Sequence, residues 1–205
     1  MSLPAIILGA GGHARVVGAI LHGLGISIKG YLDESYVAGV EEVIKQAFLI
    51  GIPNALQGYS SGEYEVYAAI GDNHKRRVAI EYALSKGYSM PALTHPSAVI
   101  ESGSQVGHAS VICMGVLIAT DAAVGKGVIL NTGSSVDHET SIGDYCHVAP
   151  GAILAGRVKV GREVFVGMGA KIAQNLNIGD GATIGAGAIV LKDVPASTTV
   201  VGVYH

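Results

Sequence analysis

Residues 124–154 read VGKGVILNTGSSVDHETSIGDYCHVAPGAIL. An Ile, Val or Leu returns at every sixth position: Val124, Leu130, Val136, Ile142, Val148 and Leu154. Followed outward, the register holds from Ile100 to Val190, sixteen aliphatic residues without a miss. Internal periodicity of this kind outranks local propensity as a fold signal. Two positions before each aliphatic stands a small or slim residue, such as Ser110, Val116, Ala122, Ser134, Cys146, Ala152 or Ala182. The residue after it is usually turn-tolerant, as at Gly107, Gly125, Asn131, Asp137, Gly143, Gly161, Gly167, Gly179 and Gly185. A six-residue unit with two inward side chains and one turn is one side of a β-solenoid. Three sides close a triangular coil, so the stretch makes about five coils stacked at roughly 4.8 Å. The pattern predicts a parallel β-helix of hexapeptide repeats, with its chemistry at the outer corners.

Composition agrees. Charged residues are 14% of 205 and glycines number 30, as expected of a chain that buries aliphatics on short sides and turns often. The net charge of −3 and the lack of a basic stripe argue against non-specific nucleic-acid binding. Two cysteines give no disulfide framework. No apolar run approaches the ~18 residues that span a bilayer. Met1-Ser2-Leu3 carries no basic n-region, so a cytoplasmic protein with no membrane partner is expected.

The first half reads differently, and the boundary falls near residues 90–98, giving domains 1–92 and 93–205. A buried strand at Pro4–Gly9 runs into Gly9-Ala10-Gly11-Gly12-His13-Ala14 and a helix with Ala14, Val17, Ile20, Leu21 and Leu24 on one face. A second strand, Ile26–Leu32, ends at Asp33. Val40–Phe48 is expected to be a second helix, Glu65–Gly71 a third strand, and a further helix follows Asp72-Asn73-His74 to about Lys86. Such alternation gives a small Rossmann-like α/β domain with a crevice at the strands' carboxyl ends. The turn matches G-x-G-x-x-A, with Asp33 about twenty residues beyond it. Its glycines let backbone approach a phosphate at a helix N-terminus. Three short strands make only half a dinucleotide fold, so a mononucleotide-linked ligand fits better. The bland alternative is a tight strand-to-helix turn with no ligand.

Two of the eight histidines, His138 and His147, fall in one coil. His138 occupies a turn; His147 precedes the inward Val148 and should point outward. The run from Asn131 through Asp137-His138-Glu139 to His147 concentrates polar groups where other corners carry Gly and Ala. A histidine beside a carboxylate suits a general base, because the carboxylate fixes its tautomer and raises its basicity. Glu139 is the better orienter, since Asp137 stands at a turn-forming position. Cys146 fills an inward slot and should be inert.

The segments Gly9–His13, Ile70–Asn73, His95–Ala98, Asn131–Glu139 and His147–Gly151 together resemble the bacterial sugar acetyltransferases. These are the nucleotide-sugar and sialic-acid enzymes typified by the bacillosamine and perosamine acetyltransferases. The resemblance implies a left-handed β-helix, although the usual crossover rule favours a right-handed one. It also implies a homotrimer, acetyl-CoA as co-substrate and no metal. His138 would be the general base and Glu139 the residue that raises its basicity. Asn131, His147 and backbone at Met168 and Ala186 would line the acetyl-CoA site. Gly9, Gly11, Gly12, His13, Asp33, Gly71 and Asn73 would hold the nucleotide of the acceptor. Lys159, Arg162, Lys171 and Lys192 are read as solvated surface, though coenzyme A phosphates could meet them. The chain departs from the family at its end, Val201-Gly202-Val203-Tyr204-His205, where G-V-P-A-K is usual.

Acetyl transfer to the amino group of a nucleotide-linked 4-amino sugar is the expected reaction. A sialic-acid O-acetyltransferase would share the architecture. A zinc hydratase on the same solenoid would need three histidines, and His108 lies thirty residues before His138. A catalytically idle scaffold or nucleotide sensor is the remaining alternative.

Overall fold

The structure is a computed structural model that describes residues 2–44 and 46–205. It divides into two compact units between Leu93 and Thr94.

In the first unit, β1 (Ala5–Leu8), β2 (Ile28–Leu32), β3 (Val43–Ile44), β4 (Ala47–Gly51) and β5 (Glu65–Ala68) form one sheet in the order β3-β4-β2-β1-β5. All neighbours are parallel except the β3–β4 pair. Helix α1 (Gly12–Gly23) follows β1 and helix α2 (Asn73–Ser85) follows β5. Every residue of β1 is buried, as expected of a central parallel strand covered on both faces. Helix α1 buries Ala14, Val17, Ile20 and Leu21, whereas Leu24 forms the C-cap and is exposed.

The expected helix over Val40–Phe48 is absent. Its residues contribute to β3 and β4, and Lys45 lies outside the described residues. Burial alternates along Ala47, Phe48, Leu49, Ile50 and Gly51 with the period of a strand. Gln46 adopts φ 68, a left-handed value that no helix continues through. Alternation and β-branching at Val43 and Ile44 outweigh the helical spacing of the aliphatics.

The second unit is the solenoid. Its strands are two residues long and, as far as Ile189–Val190, pair in parallel with the strand eighteen residues away, as in Leu117↔Ser135 and Ile118↔Val136. Three sheets result, of seven, five and seven strands. Beyond its first members the aliphatic register predicted from sequence fills the interior: Ile112, Leu130, Val136, Val148, Leu154, Val166, Ile184 and Val190 are fully buried, whereas Ile100, where the register begins, is exposed. The slim residues two positions earlier are buried with them. Ser110 and Thr140 satisfy their hydroxyls there on the next coil, Ser110 Oγ donating to Gly125 O and Thr140 Oγ1 to Ala155 O, both at 2.9 Å.

The corners work in two parts. The left-handed residue lies three positions after the aliphatic, at Gly133 and Gly151 for example, and also at Glu139, Tyr145 and Arg157. The glycine directly after the aliphatic serves stacking instead, since a Cβ on Gly107 would stand 2.5 Å from the Gly125 carbonyl carbon. The atypical C-terminus completes the stack: Thr199–Val200 pairs with Thr183–Ile184, and Val203–Tyr204 with Ile189–Val190. Lys192 lies over the Tyr204 ring, 4.8 Å from its centroid.

The three outer faces differ. The face carrying Gln105, Ala123, Ser141, Lys159 and Asn177 is mostly polar. The face carrying Val99, Leu117, Ser135, Ile153, Lys171, Ile189 and Val203 is mostly apolar, and Val99, Leu117, Ile153, Ile189 and Val203 are exposed on it. The third carries Val111, Ile129, His147, Phe165, Thr183 and Thr199.

Candidate active site

His138 lies at the corner between the apolar and polar faces, after Ser135–Val136 and before Ser141–Ile142. Its Nδ1 is 3.1 Å from Glu139 Oε2, and its amide donates to Asp137 Oδ1 at 2.7 Å. The same Glu139 oxygen accepts the Arg157 Nε–H at 2.9 Å. The hydrogen bond from His138 first, and that from Arg157 second, hold the Glu139 carboxyl below the ordinary carboxylate range. The imidazole is half exposed, with 49% of its side-chain surface open. A carboxylate on Nδ1 favours the tautomer that carries its proton there, leaving Nε2 as the acceptor.

Glu139 itself occupies a left-handed corner with φ 55, held by its amide donating to Thr120 O at 3.1 Å. A non-glycine residue there costs of order 1–3 kcal/mol. The stack imposes the same conformation at other corners, among them Asp121, Tyr145 and Asn175.

Asn131 and His147 sit elsewhere. Asn131 begins the corner between the third face and the apolar face, and His147 stands on the third face. Asn131 Nδ2 is 3.1 Å from His147 Nε2, and the His147 ring meets Phe165 edge-on at 5.3 Å between centroids. Met168 and Ala186 are exposed at the same corner as Asn131, in the column of its neighbour Thr132, two and three coils farther on. The Met168 carbonyl accepts the Gly187 amide at 2.8 Å. The expected residues therefore form two groups at different corners: His138 with Glu139, and Asn131 with His147, Met168 and Ala186.

Cys146 points inward with its Sγ 2.9 Å from Gly161 O. Burial pushes the other thiol, Cys113, up to about 12. Among the described residues, no group of three or more His, Cys, Asp or Glu is placed to hold a metal ion. No helix among them is long and apolar enough to cross a membrane.

In the first unit the expected nucleotide residues gather at the carboxyl edge of the sheet. β1 lies between β2 and β5, so the loops after β1 and β5 diverge there, the position where open α/β sheets bind ligands. Gly9 has φ 106, and a Cβ on it would stand 2.9 Å from Ala69 O, so the turn admits only glycine. Gly11 forms the N-cap of α1 with no side-chain cap, and Gly11 and Gly12 both face open space. His13 follows in the first turn of α1.

Asp33, at the end of β2, accepts the Ala10 amide on Oδ2 at 2.8 Å and the Ser35 amide on Oδ1 at 2.9 Å. Burial works to raise its pKa, but the bonds from Ser35 and Ala10 outweigh burial and hold the carboxyl below its ordinary range. Across the edge, the fully buried Arg76 donates to Ile70 O at 3.0 Å, Gly71 O at 3.1 Å and Asn73 Oδ1 at 2.8 Å. That guanidinium shapes the Gly71–Asn73 loop, and Asp72 caps α2 by accepting the Lys75 amide at 2.8 Å. Sequence reading missed Arg76, Arg157 and Phe165. A step of eighteen residues from Glu139 and His147 finds the last two; Arg76 gave no signal, since an arginine in a helix reads as surface.

Comparison with known proteins follows this division. Residues 5–83 match the family described as the PglD N-terminal domain, and residues 157–192 match the bacterial transferase hexapeptide family of six repeats. A histidine-to-asparagine variant of perosamine N-acetyltransferase from Caulobacter crescentus, solved with CoA and GDP-perosamine, is 32% identical, with 98% of this chain and 96% of that one covered and a TM-score of 0.93. The acetyltransferase domain of PglB from Neisseria gonorrhoeae, solved with acetyl coenzyme A, is 31% identical, covering 98% and 97%, with a TM-score of 0.92. WeeI from Acinetobacter baumannii is 26% identical over 98% and 97%, with a TM-score of 0.88. A Rossmann-like α/β unit joined to a left-handed β-helix of this register places the chain in the hexapeptide-repeat family of acetyl-CoA-dependent sugar acetyltransferases.

Proposed function

We propose that the protein transfers the acetyl group of acetyl-CoA to the amino group of a nucleotide-linked 4-amino sugar, with His138 as general base. The reading rests most directly on the His138 Nδ1–Glu139 contact at 3.1 Å, on an exposed corner. It is supported by relatives solved with CoA and GDP-perosamine or with acetyl coenzyme A.

A sugar amine attacks poorly until a base takes its proton. His138 Nε2 accepts that proton as the nitrogen bonds to the thioester carbonyl carbon. Glu139 stabilises the imidazolium that results, at a site where its own carboxylate is kept ionised. The carbon–sulfur bond then breaks, and His138 returns the proton to the departing sulfur. A general base contributes roughly 10²–10⁴ in rate, and positioning supplies much of the remainder. The transfer proceeds without a covalent enzyme intermediate, consistent with inward-facing cysteines.

The two groups at separate corners imply a site completed by a second copy of the chain. His138 and the Asn131–Ala186 corner flank the apolar face, whose exposed Val99, Leu117, Ile153 and Ile189 need a partner surface. A homotrimer closed through that face brings the His138 corner of one copy toward the Asn131–His147 corner of the next, with acetyl-CoA between them. The glycine turn and the Gly71–Asn73 loop hold the nucleotide, whose phosphates meet the uncapped α1 N-terminus at Gly11 and Gly12. Asp33 lies beside that turn.

The test is release of free CoA from acetyl-CoA against UDP-, GDP- and dTDP-linked 4-amino sugars, with free and CMP-linked sialic acid alongside. Turnover confined to a 4-amino sugar nucleotide is the expected result. Turnover of a sialic acid alone overturns the choice of acceptor, and failure to bind CoA by calorimetry overturns the enzyme reading.

A further inference from the structure

We infer that Gly156 and Arg157 form a positioning platform for the catalytic pair, Gly156 by giving the His138 ring its seat and Arg157 by anchoring Glu139. The inference rests on the reading of His138 as base, and its test separates the two.

One coil is eighteen residues, so Gly156 stacks directly beneath His138 and Arg157 beneath Glu139. A Cβ on Gly156 would stand 2.5 Å from His138 Nε2 and 2.6 Å from Cε1. The imidazole thus fills the space where a side chain at 156 would begin. Turn geometry does not explain this glycine. It lies outside the left-handed region that favours Gly, and the equivalent positions along the same corner hold Ser102, Thr120, His138 and Gln174. Glycine appears in that column only under the ring.

Arg157 touches the pair twice. Its amide donates to His138 O at 2.9 Å, fixing the backbone at the base, and its Nε donates to Glu139 Oε2 at 2.9 Å. The Glu139 oxygen it holds is the one that faces His138 Nδ1. An exposed carboxylate with several rotamers loses that orientation readily, and Arg157, 61% exposed itself, limits it from the next coil. Arg157 also takes a left-handed φ of 61 at a corner where Asp121, Glu139 and Asn175 do the same. Its partner, rather than its backbone, distinguishes it.

The experiment compares wild type with G156A, R157A, R157K and H138N in the full chain. It uses melting temperature, kcat and KM for acetyl-CoA with GDP-perosamine as acceptor probe, and long-range ¹H–¹⁵N spectra of the histidine rings. Because Gly156 has an ordinary backbone conformation, G156A should fold and melt like wild type. Its kcat should fall by about tenfold or more, as for a displaced general base, with KM for acetyl-CoA unchanged. R157A should lower kcat by about three- to tenfold, the range of an ordinary hydrogen bond and fitting for a solvent-exposed pair, and R157K should recover most of it. In wild type the His138 ring should carry its proton on Nδ1; in G156A and R157A it should shift toward the Nε2–H form.

Wild-type kcat and an unchanged ring tautomer in G156A overturn the platform. An inactive H138N beside such a G156A shows that the platform has failed while the base reading stands. Full activity in H138N shows that the base reading has failed. The ring spectra need no acceptor, so they decide the platform whichever sugar the enzyme uses.

Discussion

The Asp33 carboxylate accepts the Ala10 amide at 2.8 Å, joining the end of the second strand to the glycine turn that follows the first. With its other oxygen on the Ser35 amide, this side chain stabilises the turn before any ligand arrives. Asp33→Asn leaves one acceptor oxygen for two amides, so one bond loses its charge and the other is lost, its N–H facing the side-chain NH2. For a carboxylate partly open to solvent the loss is about 1–2 kcal/mol, measurable by chemical denaturation at neutral pH. The sign with pH follows from the lowered carboxyl. The contribution is full above the ordinary carboxylate range and disappears as pH falls through the lower native value. The difference between Asp33→Asn and wild type should therefore narrow in acid; a gap that persisted there would contradict this role.

The apolar outer face makes a second expectation quantitative in kind. Ile153 is exposed at the middle of it, two coils from Leu117 by way of Ser135. Ile153→Lys leaves the buried interior untouched and should convert the proposed homotrimer to monomer in sedimentation velocity. Acetyl transfer should fall by at least about tenfold with it, because a site shared between copies loses its positioning contribution. A monomer of full activity would show that one chain suffices.

The cysteines supply a third. Cys113 is buried, its thiol pushed up to about 12, and Cys146 is fully buried with its sulfur directed at Gly161 O. A raised thiol pKa means almost no thiolate at pH 8. Iodoacetamide should leave both unmodified in the native protein and label both after denaturation, as read by intact mass. Rapid native labelling of Cys146 would reopen a thiol mechanism.

Much of this was legible before any coordinates. The six-residue register dictated the solenoid because a stacked coil has no other way to bury one aliphatic per side, and Leu130, Val136 and Val148 lie where that register puts them. Alternation placed Cys146 inside for the same reason. The segment 40–48 was misread because the helical spacing of its aliphatics conceals a strand alternation, and partner strands decide between the two. Arg76 was invisible because its burial depends on carbonyls at Ile70 and Gly71 that only the folded loop presents. The site itself was half legible. Residue types and a shared coil brought His138 and His147 to notice together, but corner geometry separates them, and a single chain's sequence does not say which corners meet across copies.

The central claim is that the His138 imidazole takes the proton of the attacking amine. It is tested most directly by kcat for acetyl transfer in His138→Ala, measured on protein shown to keep its fold and oligomeric state. The expected result is a kcat lowered by at least about tenfold, within the range of a lost general base, with acetyl-CoA binding retained. Turnover equal to wild type in that variant would contradict the account.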